Sequence, residues 1–421
     1  MAAYGEDGNV FLTDDIILHE MMEELLSSAV AVKRVDRRLE KSFNKVGDTI
    51  SVERPFMTKT AEGRTLVKQP MTDQKVAFTI NRQRNFGLQF NQRDRTLHIR
   101  TFKERYLNSG IRQLGNDIEQ SVLECAVQSA YNSYGAAGTA LSSDGVHDIS
   151  GRMTEVAIPE DGMRSGIINT RDGKVIDKEM AGKYNEAMVK GAIQNGYMGP
   201  IADMQLYRSA MVPVHTVGDY SGTPLVKGNQ KGSSLLIDGC TGSVTNFLKK
   251  GDTFTIAGVY EVHPQTKKST GELQRFVVKA NVETTAGGEA TLSISPAIND
   301  GTLTTTNAVG ETVSLGAYQN VTSAALDNAA ITVIGLANTS YRSNVFFHKN
   351  AITLCMVQKE LPESAVVKAR VTDDETGLSL VMTAAYDINE DEQIYRVDAI
   401  WGVDSLQPEL AFRNYSSAVA G

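Results

Sequence analysis

The chain has 421 residues, with 42 Lys plus Arg against 50 Asp plus Glu and a formal charge of −8. That acidic balance excludes a uniformly basic nucleic-acid binder, and the length suffices for roughly two or three domains with buried cores. With 41% hydrophobic and 22% charged residues, the composition is that of a globular protein, not of a disordered chain.

Cys125, Cys240 and Cys355 are too few and too scattered for a disulfide framework or a Cys-x-x-Cys metal site, so a reducing compartment is expected. The opening MAAYGEDG lacks the basic n-region and apolar core of a signal peptide, and no run approaches ~18 apolar residues. The expectation is a protein made in a cytoplasm, with no membrane partner.

The first 32 residues carry Glu6, Asp7, Asp14, Asp15, Glu20, Glu23 and Glu24 and no Lys or Arg, a local charge of −7. Thr13 is placed to cap a helix whose first turn holds Asp14 and Asp15 and whose apolar face is Ile17, Leu18, Met21, Met22, Leu25 and Leu26. Lys33, Arg34, Arg37, Arg38, Lys41 and Lys45 follow, against Asp36 and Glu40, for a local charge of +4. A charge step of this kind suits an arm that reaches a neighbouring molecule, and equally a solvated helix face.

Ile50 and Val52 alternate in GDTISVERP, as do Val76, Phe78 and Ile80 in KVAFTI, so residues 47 to 90 read as two long strands of an extended hairpin. Its tip, residues 55 to 75, carries Lys59, Arg64 and Lys68 and few large apolar residues. A loop of about 20 residues without its own core is usually functional or disordered. Packing on another subunit is the reading favoured here. Residues 82 to 105 then contain Arg82, Arg84, Arg93, Arg95, Arg100, Lys103 and Arg105 against Asp94 and Glu104, a local charge of +5 that either faces DNA or pairs with acidic neighbours. Within it, Arg84 to Phe90 reads as a strand in a sheet, in preference to an RNA-recognition motif.

From 97 to 133, Leu107, Ile111, Leu114, Ile118, Val122 and Cys125 recur at helical spacing, predicting a spine helix of about 45 Å with Gly110 and Gly115 as points of bending or close approach. The stretch GAAGTALSSDG at 135 to 145 is expected to end it. A second helix is predicted from Lys178 to Gly196, with Met180, Tyr184, Met188 and Ile193 on one face. Between 241 and 340 there are 17 Thr, and short alternating runs are separated by Lys250-Gly251-Asp252, Ala286-Gly287-Gly288 and Asn299-Asp300-Gly301. These runs are Phe254 with Ile256, Phe276 with Val278, Leu292 with Ile294, Val313 with Leu315, and Ile331 with Val333. They predict a small all-β unit inserted into the first body, to which the apolar strands after 345 return, with a hairpin at 387 to 393.

No catalytic, cofactor or metal constellation emerges. The six histidines are dispersed, and His19-Glu20-Met21-Met22-Glu23 lacks the second His of a zincin helix. G-x-S-x-G, Walker A and G-x-G-x-x-G do not occur. Asp387-x-Asn389-x-Asp391 begins like a calcium loop, but Glu392 stands where Gly is needed and Asp398 where a bidentate Glu is expected, so a polar turn is preferred. Neither an enzyme nor a cofactor is expected.

GDTFTIAGVYEVHPQTKKSTGELQRFVV at 251 to 278 and NVFFHKNAITL at 344 to 354 resemble segments of the coat proteins of short-tailed Salmonella-type phages, and TDDII, GDTISVERP and IWGVDSLQPELA match more loosely. Only residues 145 to 225 carry no family motif. The resemblance implies an α+β, Hong Kong-type phage capsid fold. Its parts are placed at 1–46 (N-terminal arm), 47–92 (extended loop), 93–135 (peripheral domain with the spine helix), 136–225 (first part of the axial domain), 226–342 (inserted β-barrel-like domain) and 343–421 (second part of the axial domain and return to the peripheral domain).

It further implies a major capsid protein that assembles with a scaffolding protein, as hexamers and pentamers of itself, into an icosahedral shell. The shell would include a portal protein and enclose double-stranded DNA held by non-specific contact, with assembly in the host cytoplasm and the virion capsid as destination. Asp14, Asp15, Glu20, Glu23 and Glu24 are then candidates for scaffold contact, Lys59, Arg64 and Lys68 for a neighbouring subunit, and Arg82, Arg84, Arg93, Arg95 and Arg100 for a basic interior or interface. Two other readings stay open: a cellular compartment shell of the same fold, and a nucleic-acid-binding protein using residues 82 to 105.

Overall fold

The computed structural model describes residues 21–23, 25, 30–39, 49–58, 64, 75–91, 108–180, 197–306, 312–357, 359–361, 367–372, 378–387 and 392–419. The chain divides into two units, one of residues 1–52, 77–122 and 352–404, the other of residues 53–76, 123–351 and 405–421.

The first unit is built on a five-stranded antiparallel sheet. The long strand Glu392–Asp404 pairs with Arg82–Asn91, with Thr353–Met356 and with Ser379–Asp387, and the last of these pairs with Val367–Thr372. A helix, α1 (Asn108–Ser129), buries Ile111, Leu114, Ile118 and Val122 of the predicted stripe and half-buries Cys125, while Leu107 lies outside the described residues. The Trp401 indole is buried and donates to Ser121 Oγ at 2.9 Å, while that hydroxyl donates to the Ile118 carbonyl at 2.7 Å. The polar edge of a large side chain is thereby satisfied inside the unit. Gly110 is where a strand approaches the helix: a Cβ there would stand 2.6 Å from the Phe86 ring.

One expectation changes here, and a second is described only in part. The extended hairpin, strands Thr49–Glu53 and Lys75–Thr79, ends before residue 92, because Arg82–Asn91 leaves it to pair along ten positions with Glu392–Asp404. The described spine helix has 22 residues, about 33 Å at 1.5 Å per residue, and the expected start at 97 to 107 lies outside the described residues.

The second unit holds two layers of sheet that share a core. A seven-stranded mixed sheet runs in the order Asn132–Tyr134, Ala411–Val419, Ser340–His348, Arg164–Ile168, Met204–Arg208, Tyr197–Ile201, and Val214–Thr216 also pairs with Ser340–His348. Helices α2 (Ser143–Glu155) and α3 (Thr170–Met180) bury Val146, Ile149, Met153, Ile176 and Met180 with Ile168, Leu206, Phe346 and Phe412 of this sheet. The stretch at 135 to 145 follows the end of α1, as expected, and its last residues open α2, which Ser142 caps, accepting from the Gly145 amide at 3.1 Å. Likewise α3 begins at Thr170 and not at Lys178, since the Asn169 side chain accepts from the amides of Arg171 and Asp172. Of the predicted face only Met180 is described; Tyr184, Met188 and Ile193 lie outside the described residues.

The inserted strands form a six-stranded barrel in the order Ile331–Val333, Thr253–Val262, Ser269–Val278, Ala290–Ile298, Gly232–Cys240, Gly222–Val226. A bridge between Leu225 and Ala330, with the Val226 amide donating to the Ala329 carbonyl at 3.0 Å, closes it. Phe254, Ile256, Phe276, Val278, Leu292, Ile294, Ile331 and Val333 are buried inside, as the alternation requires. Val313 instead belongs to a small separate hairpin of Thr304–Thr306 and Thr312–Ser314. Tyr341 and Tyr415, from adjacent strands of the seven-stranded sheet, join the barrel core, with rings edge to face at 6.0 Å. The barrel is therefore seated on the sheet and not tethered to it by a linker.

Candidate assembly surfaces and the seam behind them

The extended loop leaves the second unit along an extended root in which exposure alternates: Glu53 and Pro55 face outward, Arg54 and Phe56 are half-buried. Arg54 donates to Glu409 at 2.6 Å, and Phe56 meets Tyr318 edge to face at 6.4 Å. The root of a loop expected to pack on another subunit therefore rests on its own chain. Of the three candidate cations at the tip Arg64 is described, and it is exposed; Lys59 and Lys68 lie outside the described residues.

Of the acidic arm, Glu23 is described and exposed, on a helical stretch whose Met21, Met22 and Leu25 are buried; Asp14, Asp15, Glu20 and Glu24 lie outside the described residues. In the basic segment Arg82 is half-buried and Arg84 exposed on their strand, while Arg93, Arg95 and Arg100 lie outside the described residues. Each of the three candidate groups is therefore described only in part. The calcium-like Asn389 and Asp391 also lie outside it. Among the described residues, no group of three or more His, Cys, Asp and Glu is placed to hold a metal ion.

Behind these surfaces runs a polar seam between barrel and sheet, made by residues that no local motif joins. At the Lys250-Gly251-Asp252 turn, Gly251 has φ +95°, and a Cβ there would stand 3.2 Å from His215 and 3.4 Å from Gln128 Cα. Only glycine lets the turn come so close. The Asp252 carboxylate is fully buried and accepts from His215 Nε2 at 2.7 Å, the Lys249 amide at 2.7 Å and the Gly218 amide at 3.0 Å. Burial, then the nearby Arg413 charge, hold His215 below its ordinary pKa despite the Asp252 contact.

Arg413, itself buried, donates to the carbonyls of Gly251 at 2.6 Å and Val127 at 3.1 Å and lies 4.1 Å above the Tyr415 ring. The Tyr415 hydroxyl pairs with Thr253 Oγ1 at 2.8 Å. An arginine between aromatic residues in the strand sequence AFRNY is the signal that could have found this seam.

Further along the seam, Arg152 pairs with Glu261 at 3.1 Å and Arg275 donates to Ser133 at 3.0 Å around a cavity of about 10 Å³, room for one water. Burial raises the Glu261 pKa above its ordinary value, an effect that Arg152 only partly offsets. Burial, then the Arg152 charge, lower that of Arg275. A second histidine, His348, is buried and donates to Asp161 at 3.0 Å while its Nδ1 accepts from the Asn350 amide. That hydrogen bond is the chief reason the exposed Asp161 carboxyl falls below its ordinary pKa.

In the first unit the buried Asp398 accepts from Arg396 and Lys359, the latter at 2.7 Å. Burial alone would raise its pKa, but these cations hold it below the ordinary value. Asp252 and Asp398 are fully buried and satisfied on both oxygens, an arrangement that fixes structure and leaves no carboxylate oxygen open to a substrate.

Comparison with known proteins places residues 210–412 in a match to the family described as P22 coat protein, gene protein 5. The matched stretch contains the whole barrel and the return into the seven-stranded sheet. Over 425 aligned residues the chain is 22% identical to the major capsid protein of Acyrthosiphon pisum secondary endosymbiont phage 1, covering 94% of this chain and 96% of the relative. Among solved structures, a Mycobacterium phage Che8 chain aligns with 92% of this chain and 90% of its own length at 11% identity and TM-score 0.47. The CUS-3 coat protein I-domain aligns over 27% of this chain and 94% of its own length at 26% identity and TM-score 0.18.

Proposed function

We infer that this chain is a major capsid protein of the tailed-phage type, copies of which build an icosahedral shell. The observation that carries this reading is the P22 coat match over 210–412, which spans the closed barrel and its seating on the sheet. The capsid relative over 94% of the chain favours a virion shell over a cellular compartment or a free nucleic-acid-binding protein.

The finer assignments are proposals. A scaffolding protein with a basic helix meets Asp14, Asp15, Glu20, Glu23 and Glu24, a choice supported by the cation-free arm. Lys59, Arg64 and Lys68 in the extended loop contact a neighbouring subunit, and Arg82, Arg84, Arg93, Arg95 and Arg100 line an interior or interface suited to double-stranded DNA. A portal protein occupies one position of the shell, assembly takes place in the host cytoplasm, and the subunit performs no catalysis. An exposed ion pair contributes only about 0 to 1 kcal/mol and is screened beyond roughly 8 to 10 Å at physiological salt. Contacts this weak can be broken and remade during assembly, while repetition across a closed shell makes their sum large.

Scaffold pull-down across a salt series tests the arm. Asp14→Asn with Asp15→Asn should weaken binding and flatten its salt dependence; unchanged binding with an unchanged salt slope would refute the arm assignment.

A further inference from the structure

The root of the extended loop is held at two points by parts of the chain far apart in sequence. Arg54 and Phe56 lie two residues apart on an extended segment, with Pro55 between them fixing the backbone and facing outward. Arg54 donates to Glu409, which sits in the turn Pro408–Leu410; the Glu409 carbonyl in turn accepts from the Asn132 side chain at 3.3 Å. Phe56 packs edge to face on Tyr318, in the turn Gly316–Tyr318 on the connection between the barrel strands Ala290–Ile298 and Ile331–Val333, and the Met57 amide points to the Tyr318 hydroxyl at 3.5 Å. Two anchors on one side of a stiffened segment fix a direction as well as a position. A single anchor would leave the loop free to swing.

We propose that Tyr318 and Glu409 are positioning residues for the extended loop: the inserted barrel and the turn before the last strand together set the angle at which the loop leaves the subunit. This rests on the reading that the loop meets a neighbouring subunit. The barrel then has a role in assembly beyond its own fold, because it aims a contact that it does not itself make. Neither residue is conspicuous in the sequence, since one is a tyrosine in a polar turn and the other an acid after a proline.

The test compares the full chain with Tyr318→Ala, Tyr318→Phe and Arg54→Gln, reading hydrogen exchange at the Met57 amide in the unassembled subunit and the fraction of closed shells after assembly. Tyr318→Ala should speed Met57 exchange at least severalfold and lower the closed-shell fraction severalfold, with circular dichroism unchanged. Tyr318→Phe, which keeps the ring, should restore most of that fraction. Should Tyr318→Ala fail to fold, Arg54→Gln releases the same root from Glu409 and is expected to give the same two changes.

Unchanged Met57 exchange in the folded variants would overturn the proposal, as would faster exchange with normal shells. Arg64→Glu separates the two layers of the argument. If it leaves assembly normal, the loop contact itself is wrong and the proposal falls with it; if it blocks assembly while Tyr318→Ala does not, only the positioning role is lost.

Discussion

His215 Nε2 stands 2.7 Å from Oδ1 of Asp252, where the Lys249-to-Asp252 turn of the barrel meets the strand Val214–Thr216. The groups facing this imidazole are Asp252, Arg413 and Lys249. Because burial and Arg413 hold the folded-state pKa below the ordinary 6.5, the native state binds fewer protons here than the unfolded chain. The stability this site contributes is therefore full above about pH 6.5 and is lost as pH falls below it.

Subunit unfolding in urea at a series of pH values between 7 and 5 should give a parent whose stability drops with acid and a His215→Gln variant with a flatter profile. Glu261, raised above 4.5, acts in the opposite direction, so the parent-minus-variant difference is the quantity to read. Parallel profiles would show that His215 is not the titrating group.

The contact between Gly110 and Phe86 makes a second prediction. In an exposed helix Gly→Ala gains about 1 kcal/mol, but here the added methyl meets a ring at 2.6 Å, and overpacking costs about 1 to 3 kcal/mol. Gly110→Ala should thus be net destabilising, and combination with Phe86→Leu should recover part of the loss, a coupling that a double-mutant cycle in urea measures. A stabilised Gly110→Ala would mean the helix and strand are further apart than described.

Cys240 gives a chemical prediction. Burial, followed by the Asp238 charge, pushes its thiol pKa to about 11, so little thiolate is present at pH 8. Iodoacetamide should modify Cys240 about tenfold or more slowly than an unhindered free thiol under the same conditions, and the rate should keep rising with pH past 9. A plateau below pH 9 would contradict it.

The parts of this fold legible in the sequence are those whose residues repeat. Ile111, Leu114, Ile118 and Val122 disclose α1, and the alternation of Phe254, Ile256, Phe276 and Val278 discloses the barrel, because each pattern matches the period of one element. The starts of α2 and α3 are not legible in this way, because they depend on single capping side chains, Ser142 and Asn169, set among Gly and polar residues that also suit a turn. The seam leaves only one local trace, the arginine among aromatic residues at 411 to 415, for another reason. Its partners, Arg413 with Gly251 and Thr253 with Tyr415, are 162 residues apart, and no local spacing records a pairing made by topology. The same holds for Arg54 with Glu409, so the acids and bases chosen from charge runs are surface candidates, whereas the charges that fix the fold are isolated ones.

The central claim is tested most directly by expressing the full chain alone and with its candidate scaffolding protein, then following both by sedimentation and electron microscopy. A shell-forming subunit should give closed particles, more uniform in size when the scaffold is present. A chain that stays a folded monomer under both conditions would contradict the capsid account.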